Sequence, residues 1–305
     1  MNYKALNNLA TMFFDSAEHF PQKPFLWAKR NGKYISSSYS ETKNNVQLLA
    51  DSLHQLGVEK GDRVVVVSEN RPEWVIADLA IISLGGITVP AYTTNTTDDH
   101  LYILDHSEAK IAIVSSDKLA VRLMNAMSKS ASCKTIISIE KLSSDVDPGL
   151  KHLDWSSLLA PRDKLTTDVL KEVINLKRDD IACFIYTSGT GGNPKGVMLT
   201  HGSILANCSS AYDLLTEFGL GDEIFLSLLP LSHSYEHTCG LYFPISIGAQ
   251  IYYAEGPDKV AQNLQEAKPT IMTAVPRLYE ALHDRIQRGV QQSGGLKKYL
   301  FDLTL

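Results

Sequence analysis

The chain has 305 residues, more than one compact core usually holds, so one large α/β domain or two smaller lobes is expected. Hydrophobic residues make up 44% and charged residues 21%, with no low-complexity tract, which excludes a disordered or fibrous chain. A net charge of -5 argues against a nucleic-acid backbone binder, which carries a basic surplus, so an anionic ligand has to be met by local donors.

In chain order, the first twenty residues lack a long apolar run and carry Asp15 and Glu18, so no signal peptide is expected. From Ser40, the residues Val46, Leu49, Ala50, Leu53 and Leu56 recur at helical spacing, and Gly57 stands where a left-handed cap would close the helix. The run "RVVVV" has no polar face, the mark of a strand covered on both sides. Pro72 opens a helix that reaches Leu84 and stops at Gly85-Gly86. Those glycines and Pro90 also break the longest uncharged run, which excludes a membrane span there. "ITVP" follows as a strand, then a helix from about Asp98, then "KIAIVSS" and "TIISIE" as strands.

Ser143 to Val173 reads as a polar connection with one short helix at Trp155–Leu159. A second alternation starts at "DIACFIY": helix at "SILANCSSAYDLL", strand at "EIFLSLLPL", helix at "LYFPISI", strand at "AQIYYAE", helix at "KVAQNLQEA", strand at "TIMTAV" and helix at "PRLYEALHDRIQRGV". After Gly294-Gly295 a fresh helix is expected to begin and to be cut short at the last residue. Helices alternating with buried strands predict two α/β lobes with largely parallel sheets flanked by helices, residues 1–175 and 176–305.

The stretch "YTSGTGGNPKGV" follows a buried strand. Its glycines let the backbone approach a ligand closely, Thr187, Ser188 and Thr190 add hydroxyls, and Lys195 supplies a full positive charge, a set suited to a polyphosphate. The Walker pattern fails because Pro194 precedes Lys195 and Gly196 follows it, and the dinucleotide pattern fails because Pro194 sits at its third glycine.

The stretch resembles the phosphate-binding signature of adenylate-forming enzymes, [ST]-S-G-[ST]-[ST]-G-x-P-K-G, through Thr187, Ser188, Gly189, Thr190, Gly192, Pro194, Lys195 and Gly196. Gly191 departs, standing where a second hydroxyl residue is common; it keeps its backbone donor. "LPLSHSYEH" and "PTIMTAVPRLYEAL" are similar to later blocks of the same family, and Glu236 together with "GLKKYLFDLTL" is similar to long-chain fatty acyl-CoA synthetases.

The resemblance implies an incomplete N-terminal domain of such a ligase, with ATP, Mg2+, coenzyme A and a fatty acid as ligands. Thr187, Ser188, Gly189, Thr190, Gly191, Gly192 and Lys195 would hold the phosphates, Thr187 would be the protein ligand of Mg2+, and His233 would orient the acyl carboxyl. By residue type alone, His233 would be a strand-end histidine satisfied by backbone. His201 and His237 are expected to cap or pack, and Cys183 and Cys239 to fill the core. Arg277 would face phosphate or pair with Glu280; Tyr235, Leu241, Tyr242 and Phe243 would line an acyl tunnel or plain core.

The family's Y-G-x-T-E motif, ribose-binding Asp, hinge and C-terminal domain with its lysine have no counterpart here, so the chain alone is expected not to turn over. A non-catalytic nucleotide- or acyl-binding protein, and an enzyme adenylating aryl or amino acids, are the alternatives. Four scattered cysteines without a C-x-x-C pair fit a reducing, cytoplasmic setting. Long acyl substrates partition into bilayers, which would make weak peripheral membrane contact useful, but no segment has the strongly basic amphipathic face that would argue for it.

Overall fold

The computed structural model describes residues 2–162, 164–187, 193–293, 295 and 301. The strands in chain order are β1 (Pro24–Arg30), β2 (Lys33–Ser38), β3 (Arg63–Val67), β4 (Ile87–Ala91), β5 (Ile111–Val114), β6 (Thr135–Ser138), β7 (Lys151–Asp154), β8 (Ile181–Thr187), β9 (Lys195–Thr200), β10 (Ile224–Ser227), β11 (Gln250–Tyr253) and β12 (Ile271–Met272). The helices are α1 (Leu9–His19), α2 (Tyr39–Gln55), α3 (Pro72–Ser83), α4 (Thr97–Ser107), α5 (Asp117–Met127), α6 (Trp155–Leu158), α7 (Val169–Ile174) and α8 (His201–Thr216). A π-helix, Glu236–Tyr242, runs into α9 (Phe243–Ser246), followed by α10 (Val260–Ala267) and α11 (Pro276–Ser293).

Among the described residues these strands form two sheets, ordered β7-β6-β5-β3-β4-β8-β9 and β12-β10-β11-β1-β2. Each is parallel except for one antiparallel pair at an edge, β8 with β9 and β1 with β2. Both sheets draw strands from either side of residue 175. The hairpin β1-β2 lies beside β11, with Leu26 opposite Ile251, and β8 joins the first sheet beside β4, with Thr88 opposite Cys183. Each half of the chain thus contributes strands to the other's sheet.

"RVVVV" shows why the first sheet needs cover on both faces. Val64 and Val66 point into one apolar cluster with α1, α2 and α3, while Val65 and Val67 point into another with α4 and α5. Helix α3 is buried from Trp74 to Ser83, as its sequence "WVIADLAIIS" requires of a helix packed on all sides. Asp78 is the one charge in that run. Helices α2 and α4 begin with reciprocal caps, Ser38 with Glu41 and Thr96 with Asp99, and Gly57 takes a φ of 85° after α2.

Several elements differ from expectation. The connection 143–173 contains β7 and α7 as well as α6. "LYFPISI" is helical, but its first part belongs to the π-helix. The helix expected after Gly294-Gly295 falls almost wholly outside the described residues.

Candidate active site

The glycine-rich stretch connects the antiparallel pair β8 and β9. Ser188, Gly189, Thr190, Gly191 and Gly192 lie outside the described residues, but both stems are defined: Thr187 is the register partner of Lys195, and Tyr186 of Gly196. Thr187 and Lys195 are exposed. Helix α4 anchors the stems from behind. The Tyr186 hydroxyl is hydrogen-bonded to His106 Nδ1 at 2.8 Å, and the Tyr102 hydroxyl donates to the Pro194 carbonyl at 3.0 Å. Tyr102 and His106 stack at 5.1 Å, with the Tyr186 ring edge-on to both. Burial pushes the Tyr186 phenol up to about 12, so it stays a neutral hydrogen-bonding group. At Gly196 a β-carbon would sit 3.2 Å from the Tyr186 ring, so a glycine lets the two stems close here.

His233 is exposed at the head of the turn that leads into the π-helix. The Tyr235 amide donates to its Nδ1 at 3.2 Å, so a neutral ring carries its proton on Nε2 and offers that N–H outward. Thr187 and His233, singled out from separate motifs, line one cavity of about 420 Å³ together with Tyr92, Asn95, Tyr186 and Pro194. A second cavity of about 720 Å³ shares Tyr92 and is lined by Ser68, Leu228, Ala254 and Arg277, among others. Ser68, Tyr92, Leu228 and Ala254 each directly follow a strand, and Thr187 ends one. Both cavities therefore open at the carboxyl ends of the strands, where open α/β sheets gather ligands.

Behind His233 the chain turns inward. Glu236 is fully buried; its carboxyl accepts from the Ser227 hydroxyl at 2.6 Å and from that of Thr273. Burial pushes it up to about 7, the two hydroxyls pulling the other way. It thus ties the end of β10 to the residue that follows β12 and does not line the 420 Å³ cavity. Gly240 leaves it room, for a β-carbon there would lie 2.4 Å from the carboxyl. His237 is buried too, stacked on Tyr242 and edge-on to Trp74.

The remaining candidates sort between site and core. His201 opens α8 fully buried, accepts from the Leu9 amide at 3.3 Å and is lowered by burial to about 4, a packing role. Cys183 is buried and Cys239 partly so; Leu241, Tyr242 and Phe243 are core, while Tyr235 is 41% exposed. The anchoring trio Tyr102, His106 and Tyr186 has no motif that would have singled it out, though Tyr102 and His106 sit four apart on one helix face. Among the described residues no group of three or more His, Cys, Asp or Glu side chains could hold a metal ion. The exposed Thr187 hydroxyl is a hard oxygen donor of the kind Mg2+ accepts when phosphates and water supply most of its shell.

Two largely parallel sheets covered by helices, with a cavity at the strand ends lined by Thr187 and His233, define an open-sheet α/β protein. The chain matches the AMP-binding enzyme family over residues 13–302 and belongs to it. It is 31% identical over 305 residues to long chain acyl-CoA synthetase 4 of Arabidopsis thaliana, an alignment covering 95% of this chain and 45% of the plant protein. The chain spans about half the length of the curated relatives it matches. Among solved structures, a benzoate CoA ligase from Burkholderia xenovorans is 27% identical with a TM-score of 0.70, covering 90% of this chain and 51% of that one. The adenylation domain of a carboxylate reductase from Mycobacterium chelonae shares the fold with a TM-score of 0.77 at 19% identity, over 96% of this chain and 50% of that one.

Proposed function

We propose that this chain is the phosphate- and acyl-binding part of an AMP-forming long-chain fatty acid–CoA ligase. In the first half-reaction an acyl carboxylate oxygen attacks the α-phosphorus of ATP, the bond from that phosphorus to the bridging oxygen breaks, and pyrophosphate leaves. In the second, the thiol of coenzyme A attacks the acyl carbon, the bond to the adenylate oxygen breaks, and AMP leaves. Such chemistry depends on positioning and charge neutralisation more than on covalent help.

The hydroxyls and amides of 187–192 hold the β- and γ-phosphates, and Lys195 offsets their charge from the opposite stem. The Thr187 hydroxyl would hold a Mg2+ ion arriving with the nucleotide, which would supply further charge neutralisation at the same phosphates. The outward Nε2–H of His233 donates to the acyl carboxyl and holds it toward the α-phosphorus. The observation that carries this reading is the shared cavity of Thr187 and His233. The fatty-acid assignment is supported by relatives named long-chain acyl-CoA synthetases at about 30% identity.

Calorimetric titration of Mg·ATP into the chain tests the nucleotide half: saturable heat is expected, and none from a folded chain overturns it. Displacement of a fluorescent fatty-acid probe tests the acyl half. Long-chain acids should compete and benzoate should not; benzoate competing better points to an aryl-acid ligase, the class of the Burkholderia structure. Acyl-CoA formation by the chain alone is expected to stay at background.

A further inference from the structure

The buried side of the π-helix carries polar groups that the roles above leave unused. The Tyr242 hydroxyl donates to Asp78 Oδ2 from one side, and His237 Nε2 lies 3.5 Å from the same oxygen on the other. Asp78 and Tyr242 are 0% exposed and His237 1%. Asp78 Oδ1 and His237 Nδ1 are buried without a hydrogen-bond partner, while the Thr88 hydroxyl and His237 Nε2 reach the Asp78 carboxyl only at long range. An unpartnered buried atom costs about 1–3 kcal/mol, so a cluster this loosely satisfied is a poor device for stability and calls for another explanation. Burial opposes charge on Asp78, but the His237 imidazole and the Tyr242 hydroxyl outweigh it and hold the carboxyl below its ordinary range.

One element of this cluster, β4, also leads into the wall of the smaller cavity. Thr88 lies on β4 opposite Cys183 of β8, and those two strands run on to Tyr92 and Thr187 in the cavity wall. The His237 amide donates to the His233 carbonyl at 2.9 Å, which couples the buried ring to the exposed one through a single turn of chain. A π-helical turn is itself a strained local choice that recurs at functional sites.

We propose that Asp78 and His237 are positioning residues of the adenylation site: their contact across the buried cluster fixes the turn that presents His233 to the cavity shared with Thr187. The chemistry assigned to His233 rests on the ligase reading; the placement of its ring does not.

The test uses the whole chain labelled with ¹³C-histidine, the His233 ring signal being assigned by its loss in His233→Gln. Asp78→Asn keeps the shape of its side chain, and His237→Gln removes the imidazole while keeping a polar group of similar length. Each is expected to shift the His233 ring signal and to weaken the fatty-acid probe about tenfold, while Mg·ATP affinity and the His106 signal stay as in the wild type. An unmoved His233 signal in folded Asp78→Asn or His237→Gln overturns the proposal, as does equal weakening of probe and nucleotide, the mark of a general loss of structure. Should the wild type bind no Mg·ATP, the ligase reading falls, and the ring signals still decide the positioning role.

Discussion

On one side of the smaller cavity, Thr187 and Lys195 project into solvent from a hairpin whose stems are tied down by Tyr102, His106 and Tyr186. On the other, His233 stands exposed on a turn whose next residues, Glu236 and His237, are buried among carboxyl and hydroxyl groups. The hairpin keeps its charged group wet and its scaffold dry, whereas the π-helix buries ionisable groups as the scaffold itself. Replacements on the first side should therefore alter ligand binding and spare the fold. Those on the second should alter the fold, its pH response and the pose of one ring.

The largest effect sharpens this contrast through pH. Glu236 stands at about 7 in the folded chain against an ordinary 4.5, so the folded state holds its proton more tightly. Its contribution is complete below pH 4.5 and is lost as pH rises through 7, a change of about 3 kcal/mol. His201, lowered from 6.5 to about 4, runs oppositely: its contribution is complete above pH 6.5 and is lost as pH falls through 4. Urea unfolding of Glu236→Gln and wild type at pH 5 and pH 8 isolates the first term. The stability difference between the two proteins should move by up to about 3 kcal/mol in favour of the variant at the higher pH. An unchanged difference would mean that Glu236 is ionised throughout.

Next comes Lys195→Ala, expected to weaken Mg·ATP by about 10- to 100-fold in calorimetry, the worth of a charge-assisted contact. Its unfolding free energy should stay within about 0.5 kcal/mol of wild type. A marked stability loss would break the comparison by making the hairpin tip part of the scaffold. Gly240→Ala crowds the Glu236 carboxyl against its Ser227 and Thr273 contacts and should cost about 2 kcal/mol in chemical denaturation. Smallest is Tyr186→Phe, which removes the hydroxyl shared with His106 and should cost about 1 kcal/mol, read the same way.

Much of this architecture is legible in the residues because local patterns dictate it. The valines of β3, the Pro72 start and Gly85 stop of α3 and the Gly57 cap each follow from periodicity or backbone freedom, and each is found where expected. The exchange of strands is not legible, since nothing local tells Leu26 that its neighbour is Ile251. The β1-β2 turn was there to be read: Asn31 and Gly32 both take positive φ, as a two-residue hairpin turn demands. Strand β9 escapes because an edge strand with exposed Lys195, Val197 and Met198 lacks the alternation of a half-buried one.

At the candidate site, Thr187 and His233 stand out because each lies in a recognisable run, "YTSGTGGNPKGV" and "LPLSHSYEH". Asp78 does not; a lone acid in "WVIADLAIIS" shows only that something polar must face it. That partner, His237, lies far along the chain and is visible only once α3 and the π-helix are packed together.

The traded strands also impose an order on biosynthesis. As the polypeptide leaves the ribosome, the ribbon formed by β1 and β2 has no further strand to pair with until β11 has emerged, about 200 residues and on the order of tens of seconds later. Through that interval an apolar ribbon edge is on offer to any passing strand, a hazard that chaperones exist to cover. Nascent chains halted just short of β11 should accordingly be far more prone to aggregate than those halted just beyond it.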